Sequence, residues 1–151
     1  LTRMAAADVW WSTQPAVVGV ELNTAETPLS RHRLVPLRTA LRLGVGLVLG
    51  SDWNGTPGRR GRPFRPLESV ALAVERRSLW GVPFDPDEAV SAATALHLHT
   101  RTAAIMLGRD DLGVIAPGAS ADLIGLDADP TTSLRPGVRL AVVGGHTVAT
   151  T

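Results

Sequence analysis

The 151-residue chain has the length of one domain, and its 44% hydrophobic and 19% charged residues exclude a disordered or collagen-like protein. The 15 basic residues, all arginine, and 14 acidic residues leave a formal net charge of +1, which argues against a nucleic-acid partner. The chain lacks cysteine, which excludes disulfides and thiolate chemistry and favours a reducing compartment, the cytoplasm. No apolar run reaches the length of a membrane span.

The first predicted elements form an α/β unit. Residues 8–14 are rich in β-forming residues and are stopped by Pro15, so they predict a short strand. Residues 31–43 carry leucine at helical spacing, and Gly44 follows where a left-handed C-cap would end the helix. The apolar run at residues 45–49 is typical of a strand buried on both faces, so the order of elements predicts a parallel sheet.

A long loop and two helical segments come next. Residues 50–66 are rich in Gly, Pro and Arg, and a loop of this length favours a functional role. Apolar residues recur at helical spacing over residues 67–74. Residues 85–88 (Asp-Pro-Asp-Glu) have capping-box spacing and predict a helix start, followed by a buried helical run over residues 89–107 with a break near Thr100.

Beyond Gly108 the segments shorten and turn residues become frequent, which indicates a change from α/β to mostly β structure. Residues 122–126 and 140–143 predict strands. The Gly-Gly pair at residues 144–145 predicts a two-residue hairpin turn into a strand at residues 146–149.

Asp52 is the strongest candidate for a functional side chain. It follows the buried strand predicted at residues 45–49, and in parallel α/β folds ligands bind at the C-terminal ends of the strands. A carboxylate held there by a rigid strand can bind a metal ion or accept a proton. The structural alternative is that Asp52 caps the following turn.

Three motifs occur in a fixed order along the chain. They are Gly-Ser-Asp-Trp at residues 50–53, Pro-Gly followed by the run at residues 121–130, and Val-Val-Gly-Gly-His-Thr-Val at residues 142–148. Together they resemble the C-terminal third of the amidohydrolase superfamily, in particular its amidohydrolase-3 branch. Residues 12–15 (Ser-Thr-Gln-Pro) also resemble the end of that branch's seventh barrel strand, so the resemblance extends over essentially the whole chain.

The resemblance implies an α/β fold: the C-terminal part of a TIM (β/α)8 barrel, followed by short β-strands of a composite β-sandwich formed by the two chain ends. Residues 1–109 would be strand–helix units of the barrel, and residues 110–151 would belong to the sandwich. Asp52 matches the aspartate that ends barrel strand eight in the family. That residue ligates the metal and carries a proton from the attacking water to the leaving nitrogen.

The resemblance also implies a divalent metal, zinc, in the intact protein. The family's other ligands are a His-x-His pair, a carboxylated lysine or a glutamate, and two further histidines, all upstream of the part resembled here. A barrel takes about 200 residues or more, and the chain begins at Leu1, so we expect a fragment that is inactive by itself.

The expected activity of the intact protein is metal-dependent hydrolysis of non-peptide carbon–nitrogen bonds, as in amides or cyclic amides. The expected partners are a small amide-type substrate and the missing N-terminal part of the same barrel, without a membrane. The alternative is a non-catalytic binding or regulatory module that retains a barrel remnant without a complete metal site.

The loop after Asp52 supplies further candidates. Trp53 adjoins the carboxylate and would form a wall of the pocket. The arginine-rich residues 58–65 leave three interpretations: a solvated loop, a clamp in which Arg60 and Arg62 bind an anionic group of the substrate, or a minor-groove DNA arm. The balanced charge disfavours DNA, which leaves the solvated loop and the substrate clamp as alternatives. In the second case Arg60 and Arg62, together with Trp53, are the substrate-binding candidates.

Two other sets of residues are interpreted as structural rather than functional. The motif His97-Leu98-His99 matches the His-x-His pattern of a metal site. However, residues i and i+2 of a helix lie about 200° apart around its axis and cannot bind the same ion. Asp122 and Asp127 favour a structural role as carboxylates that bind turns or backbone.

Overall fold

The computed structural model describes residues 1–22, 34–52 and 65–150, which form an α/β portion and a separate antiparallel sheet. The helices are α1 (Thr2–Ala6), α2 (Pro15–Glu21), α3 (Leu37–Arg42), α4 (Leu67–Glu75), α5 (Ala92–His99) and α6 (Arg101–Met106), with a 3-10 turn at Pro86–Glu88. The strands are β1 (Trp11–Thr13), β2 (Leu47–Leu49), β3 (Leu123–Leu126), β4 (Val138–Val143) and β5 (His146–Thr150). No helix within these ranges is long and apolar enough to cross a membrane.

Strands β1 and β2 pair in parallel, with Trp11 opposite Leu47, which confirms the predicted parallel arrangement. All three residues of β2 are buried, as expected for a strand covered on both faces. Both strands are shorter than the predicted runs 8–14 and 45–49. The chain is not extended at the start of the first run because Asp8 has a φ of 50°.

Helix α3 begins later than predicted, at Leu37, and residues 31–33 lie outside the described part of the chain. The physical reason is Pro36, which disfavours a helical conformation at Val35, the residue before it. Val35 has a φ of 48° instead. The predicted C-terminal glycine is confirmed, since Gly44 has a φ of 76°.

The core forms where helices α3, α4 and α5 cover β2. Each of these elements presents short or branched apolar side chains, which allow the helices to approach the strand closely. The buried cluster consists of Leu37, Ala40, Val45, Leu47, Leu49, Val70, Ala73, Ala95 and Leu98. The core therefore holds the strand that precedes Asp52.

The predicted helix start at residues 85–88 is wrong. Asp85 has a φ of 38°, and only a single 3-10 turn follows it. The helix begins at Ala92, after Ser91, whose hydroxyl accepts a hydrogen bond from the Thr94 amide at 3.1 Å. The predicted break is confirmed, because α5 ends at His99 and α6 begins after Thr100.

The acidic residues of that turn bind α3 instead of capping a helix. The Asp85 carboxylate accepts a hydrogen bond from the Leu34 amide, and the Glu88 carboxylate accepts bonds from the amide and hydroxyl of Thr39 at 2.8 and 2.6 Å. Arg76, at 1% exposure, ends α4 and donates to the carbonyl oxygens of Leu34 at 2.6 Å and Asp85 at 3.2 Å. Burial lowers the pKa of Arg76 to about 10.

The C-terminal segment forms the antiparallel sheet β3–β4–β5. Gly144 and Gly145 have φ values of 55° and 81°, which confirms the predicted hairpin turn. Its large apolar side chains include several exposed ones: Leu123, Ile124, Val138, Leu140, Val143 and Val148. The prediction that residues 89–107 are buried is wrong at the end of α6, where Ile105 and Leu107 are 44% and 68% exposed.

An ion cluster joins this segment to α4. Arg135 donates to Glu68 at 2.9 Å and to Glu75 at 2.7 and 2.8 Å, two carboxylates that project from the same face of the helix. Glu68 is only 7% exposed, so the buried carboxylate needs a cation beside it. Hydrogen bonds from Arg135 lower the pKa of Glu75, so the interaction stabilises its charged form.

We predict that Arg135→Met lowers the free energy of unfolding by about 2 kcal/mol, because the buried carboxylate of Glu68 loses the cation that pairs with it. Arg139→Met is the matched control. The Arg139 ion pair with Asp127 is more exposed, so its loss should cost less than about 1 kcal/mol. Urea unfolding followed by tryptophan fluorescence measures both, and equal losses would contradict the expectation.

Candidate functional site

Asp52 lies three residues beyond the last residue of β2, at the C-terminal edge of the parallel pair. The neighbouring strand ends at the same level, because the Gly50 amide donates to the Thr13 carbonyl at 2.8 Å. Asp52 is exposed and has a φ of 42°, in the left-handed region that non-glycine residues seldom adopt. Asp52 thus follows a buried strand closely, and its backbone has an unusual conformation.

Side chains from two helices bind the chain just before Asp52. The Ser69 hydroxyl, fully buried on α4, donates to the Gly50 carbonyl at 3.0 Å. His99, at the end of α5, has its Nδ1 3.0 Å from the Leu49 carbonyl oxygen. A carbonyl oxygen can only accept, so Nδ1 carries the hydrogen. Two successive carbonyl groups are therefore bound, one by each helix.

The two histidines of the His-x-His motif point in different directions. Both lie in α5, where His97 is exposed and His99 is half-buried against β2. Sequence reasoning missed the contact between His99 and β2. The signal was available, because His99 follows the buried Ala92 and Ala95 by seven and four residues and so lies on the same helix face.

The other candidates from the sequence fall into two groups. Trp53, Arg60 and Arg62 lie outside the described residues. The predicted backbone-binding role of Asp122 and Asp127 is confirmed, because their carboxylates accept hydrogen bonds from the amides of Gly144 and Gly137, respectively, at 2.6 and 2.7 Å.

A carboxylate oxygen can serve as one ligand of a divalent metal, and Asp52 presents such an oxygen just beyond the end of β2. Within residues 1–22, 34–52 and 65–150, no three His, Cys, Asp or Glu side chains are grouped so as to hold a metal ion. The described residues thus define an α/β protein with an exposed carboxylate at the C-terminal end of a parallel strand pair.

Comparison with known proteins identifies the family. The sequence model of the amidohydrolase-3 branch, described as the Amidohydrolase family, matches residues 3–149. The chain belongs to this family, which confirms the resemblance found in its motifs.

Individual relatives agree with this assignment. The chain is 39% identical to the N-substituted formamide deformylase of Arthrobacter pascens over 100 residues, which are 65% of this chain and 17% of that protein. It is 36% identical to the imidazolonepropionase of Rhodococcus jostii (strain RHA1) over 137 residues, which are 89% of this chain and 30% of that protein. The chain therefore spans less than a third of the length of these relatives.

A solved structure shows the same relation in three dimensions. The crystal structure of the atrazine chlorohydrolase TrzN from Arthrobacter aurescens TC1, complexed with zinc, matches with a TM-score of 0.66 and 27% sequence identity. The match covers 99% of this chain and 33% of that chain.

We predict that the environment of His99 makes stability depend on pH. Burial lowers the pKa of His99 below its ordinary value of 6.5, so the folded protein takes up the proton less readily than the unfolded chain. Stability is therefore complete above about pH 6.5 and is lost as the pH falls towards the lower pKa of the folded state. The loss should grow steadily as the pH is lowered below about 6.5.

Urea unfolding at about pH 7.5 and 5.5 measures this dependence. His99→Asn should remove the part of the slope that comes from His99, whereas His97→Asn, at the exposed position on the same helix, should leave the slope unchanged. Identical slopes for the wild type and His99→Asn would show that His99 does not cause the dependence.

Proposed function

We propose that this chain is the C-terminal part of a metal-dependent hydrolase that acts on non-peptide carbon–nitrogen bonds. The observation that carries the proposal is the place of Asp52, at the C-terminal edge of the parallel pair β1–β2 in a chain of the amidohydrolase family. In folds of this kind the catalytic groups gather at that edge of the sheet.

The proposed cofactor is a divalent metal, most simply zinc, which the TrzN crystal structure contains. When bound, such an ion lowers the pKa of water towards neutrality and polarises the bond to be cleaved. Asp52 would contribute one ligand oxygen, and the remaining ligands would come from residues upstream of this chain. The Asp52 carboxylate would accept a proton from the attacking water and return it to the leaving nitrogen.

The proposed division of the chain follows the change in its secondary structure. Residues 1–109 would supply the last strand–helix units of a TIM barrel, and residues 110–151 would supply strands of a composite β-sandwich. In the described part of the chain, β1 and β2 pair only with each other, so each retains an edge to which another strand can bind. The proposed partner at these edges is the N-terminal part of the same barrel.

The proposed substrate is a small molecule with an amide or cyclic amide bond. The names of the relatives, N-substituted formamide deformylase and imidazolonepropionase, support this class. We further propose that Trp53, Arg60 and Arg62 contact the substrate, because the loop that contains them begins at the edge of the sheet where Asp52 lies.

A non-catalytic binding or regulatory module is the second candidate. The observation that favours it is the lack of any group of three metal-binding side chains among the described residues. The gene sequence upstream of Leu1 discriminates between the two. An in-frame His-x-His motif in a longer reading frame supports the enzyme, whereas a ribosome-binding signal immediately before this segment supports the module.

We predict that residues 1–151 alone bind zinc weakly, because one carboxylate cannot replace the four or five ligands of a complete site. Isothermal titration of this chain with Zn²⁺ measures the affinity. A dissociation constant of about 1 μM or tighter, with one ion per chain, would overturn the view that the site is incomplete.

We predict that Asp52→Asn in the protein encoded by the complete gene lowers turnover by about 10²- to 10⁴-fold, or more if metal is lost. The amide preserves the shape of the side chain but removes its charge and its basic oxygen. Turnover of an N-substituted formamide and metal content by mass spectrometry are measured for each variant.

Asp127→Asn is the matched control for this experiment. Asp127 binds the backbone of Gly137 and the side chain of Arg139, so its replacement should lower stability and leave turnover per folded molecule intact. If Asp52→Asn retains wild-type turnover with full metal occupancy, the role proposed for Asp52 is wrong.

A further inference from the structure

We propose that His99 and Ser69 are positioning residues, which clamp the end of β2 and thereby fix the direction of the Asp52 carboxylate. The inference rests on the proposed function of Asp52 and extends it to two side chains outside the metal centre. Their contacts are the hydrogen bonds at 3.0 Å to the carbonyl groups of Leu49 and Gly50.

The conformation of Asp52 is the first reason. Its φ of 42° is unfavourable for a residue with a Cβ atom. Such a conformation persists only where the surrounding structure determines it, as at four other non-glycine residues of the described chain, and it is enriched at functional sites. The two hydrogen bonds fix the peptide groups that lead directly into Asp52, together with the bond from the Gly50 amide to the Thr13 carbonyl.

The cost of burying these two polar side chains is the second reason. Ser69 is fully buried in α4, where alanine would pack without any polar group to satisfy. His99 is desolvated against β2, and its burial lowers the pKa of the ring, which keeps it neutral near pH 7. Each side chain recovers a hydrogen bond at the same short stretch of backbone, so the two polar groups converge on the end of β2.

Ser69 and His99 would thus support Asp52, the proposed metal ligand. Groups that orient a metal ligand without touching the metal affect both the metal affinity and the activity of a protein. Their loss typically lowers either quantity by about 10- to 100-fold. Here the support acts through the backbone: α4 holds one carbonyl group and α5 holds the next. Helices α4 and α5 would thus orient Asp52 without contacting the metal.

The test uses the protein encoded by the complete gene, with Co²⁺ as the probe. His99→Leu and Ser69→Ala each remove one clamp, and each should weaken Co²⁺ binding by about 10- to 100-fold and shift the visible absorption of the bound ion. His97→Leu, the same substitution two residues away on the exposed face, should change neither quantity. Thermal unfolding of every variant is measured alongside.

Conservative variants separate positioning from general packing. His99→Asn places an amide nitrogen at the position of Nδ1, and Ser69→Thr retains the hydroxyl, so both should restore the Co²⁺ affinity. An affinity in His99→Asn as low as that in His99→Leu would overturn the hydrogen-bond explanation. If His99→Leu does not fold, Ser69→Ala decides the question, because it removes only one oxygen atom.

The remaining outcomes distinguish the two proposals. Co²⁺ affinities within twofold of the wild type in both clamp variants, with binding lost in Asp52→Asn, would refute the positioning role and leave the proposed function intact. Unchanged binding in Asp52→Asn, or no Co²⁺ binding by the wild type, would refute the proposed function and the clamp with it.

Discussion

The burial of all three residues of β2 is the constraint on which the rest of this structure depends. A strand of three apolar residues is too short to be stable by itself, so it is held by its parallel neighbour β1 and by the helices packed on it. Because the strand cannot move without opening the core, the residues that follow it start from a fixed point. The position of the backbone that leads into Asp52 is therefore a consequence of packing.

The polar residues of the α/β portion also hold neighbouring elements in place. Asp85 and Glu88 lie where a sequence pattern suggests helix capping, but they and the buried Arg76 bind backbone groups in and just before α3. Ser69 and His99 likewise bind backbone groups at the end of β2. Helices of only five to nine residues contribute little stability of their own, and side-chain bonds between elements substitute for longer secondary structure.

Much of the fold could be predicted from the sequence, because the apolar run of β2, the glycine after α3 and the Gly-Gly hairpin are local signals. The start of α5 could not, since the spacing of Asp85 and Glu88 fits a capping box while their true partners lie about fifty residues away in sequence. For the site, Asp52 could be predicted because it follows a buried strand. Ser69 was not, because four consecutive residues after it are also buried and no periodicity marks it.

The ion cluster on α4 has a consequence for how this chain can change in evolution. Loss of Glu75 first leaves Arg135 paired with the buried Glu68, so that step preserves a neutralised pair. Loss of Arg135 first leaves two carboxylates on one helix face, one of them buried. We therefore expect Glu75 to be substituted first and Arg135 last. The attachment of the C-terminal segment to α4 changes more easily at its exposed acidic residue than at the arginine that pairs with both acids.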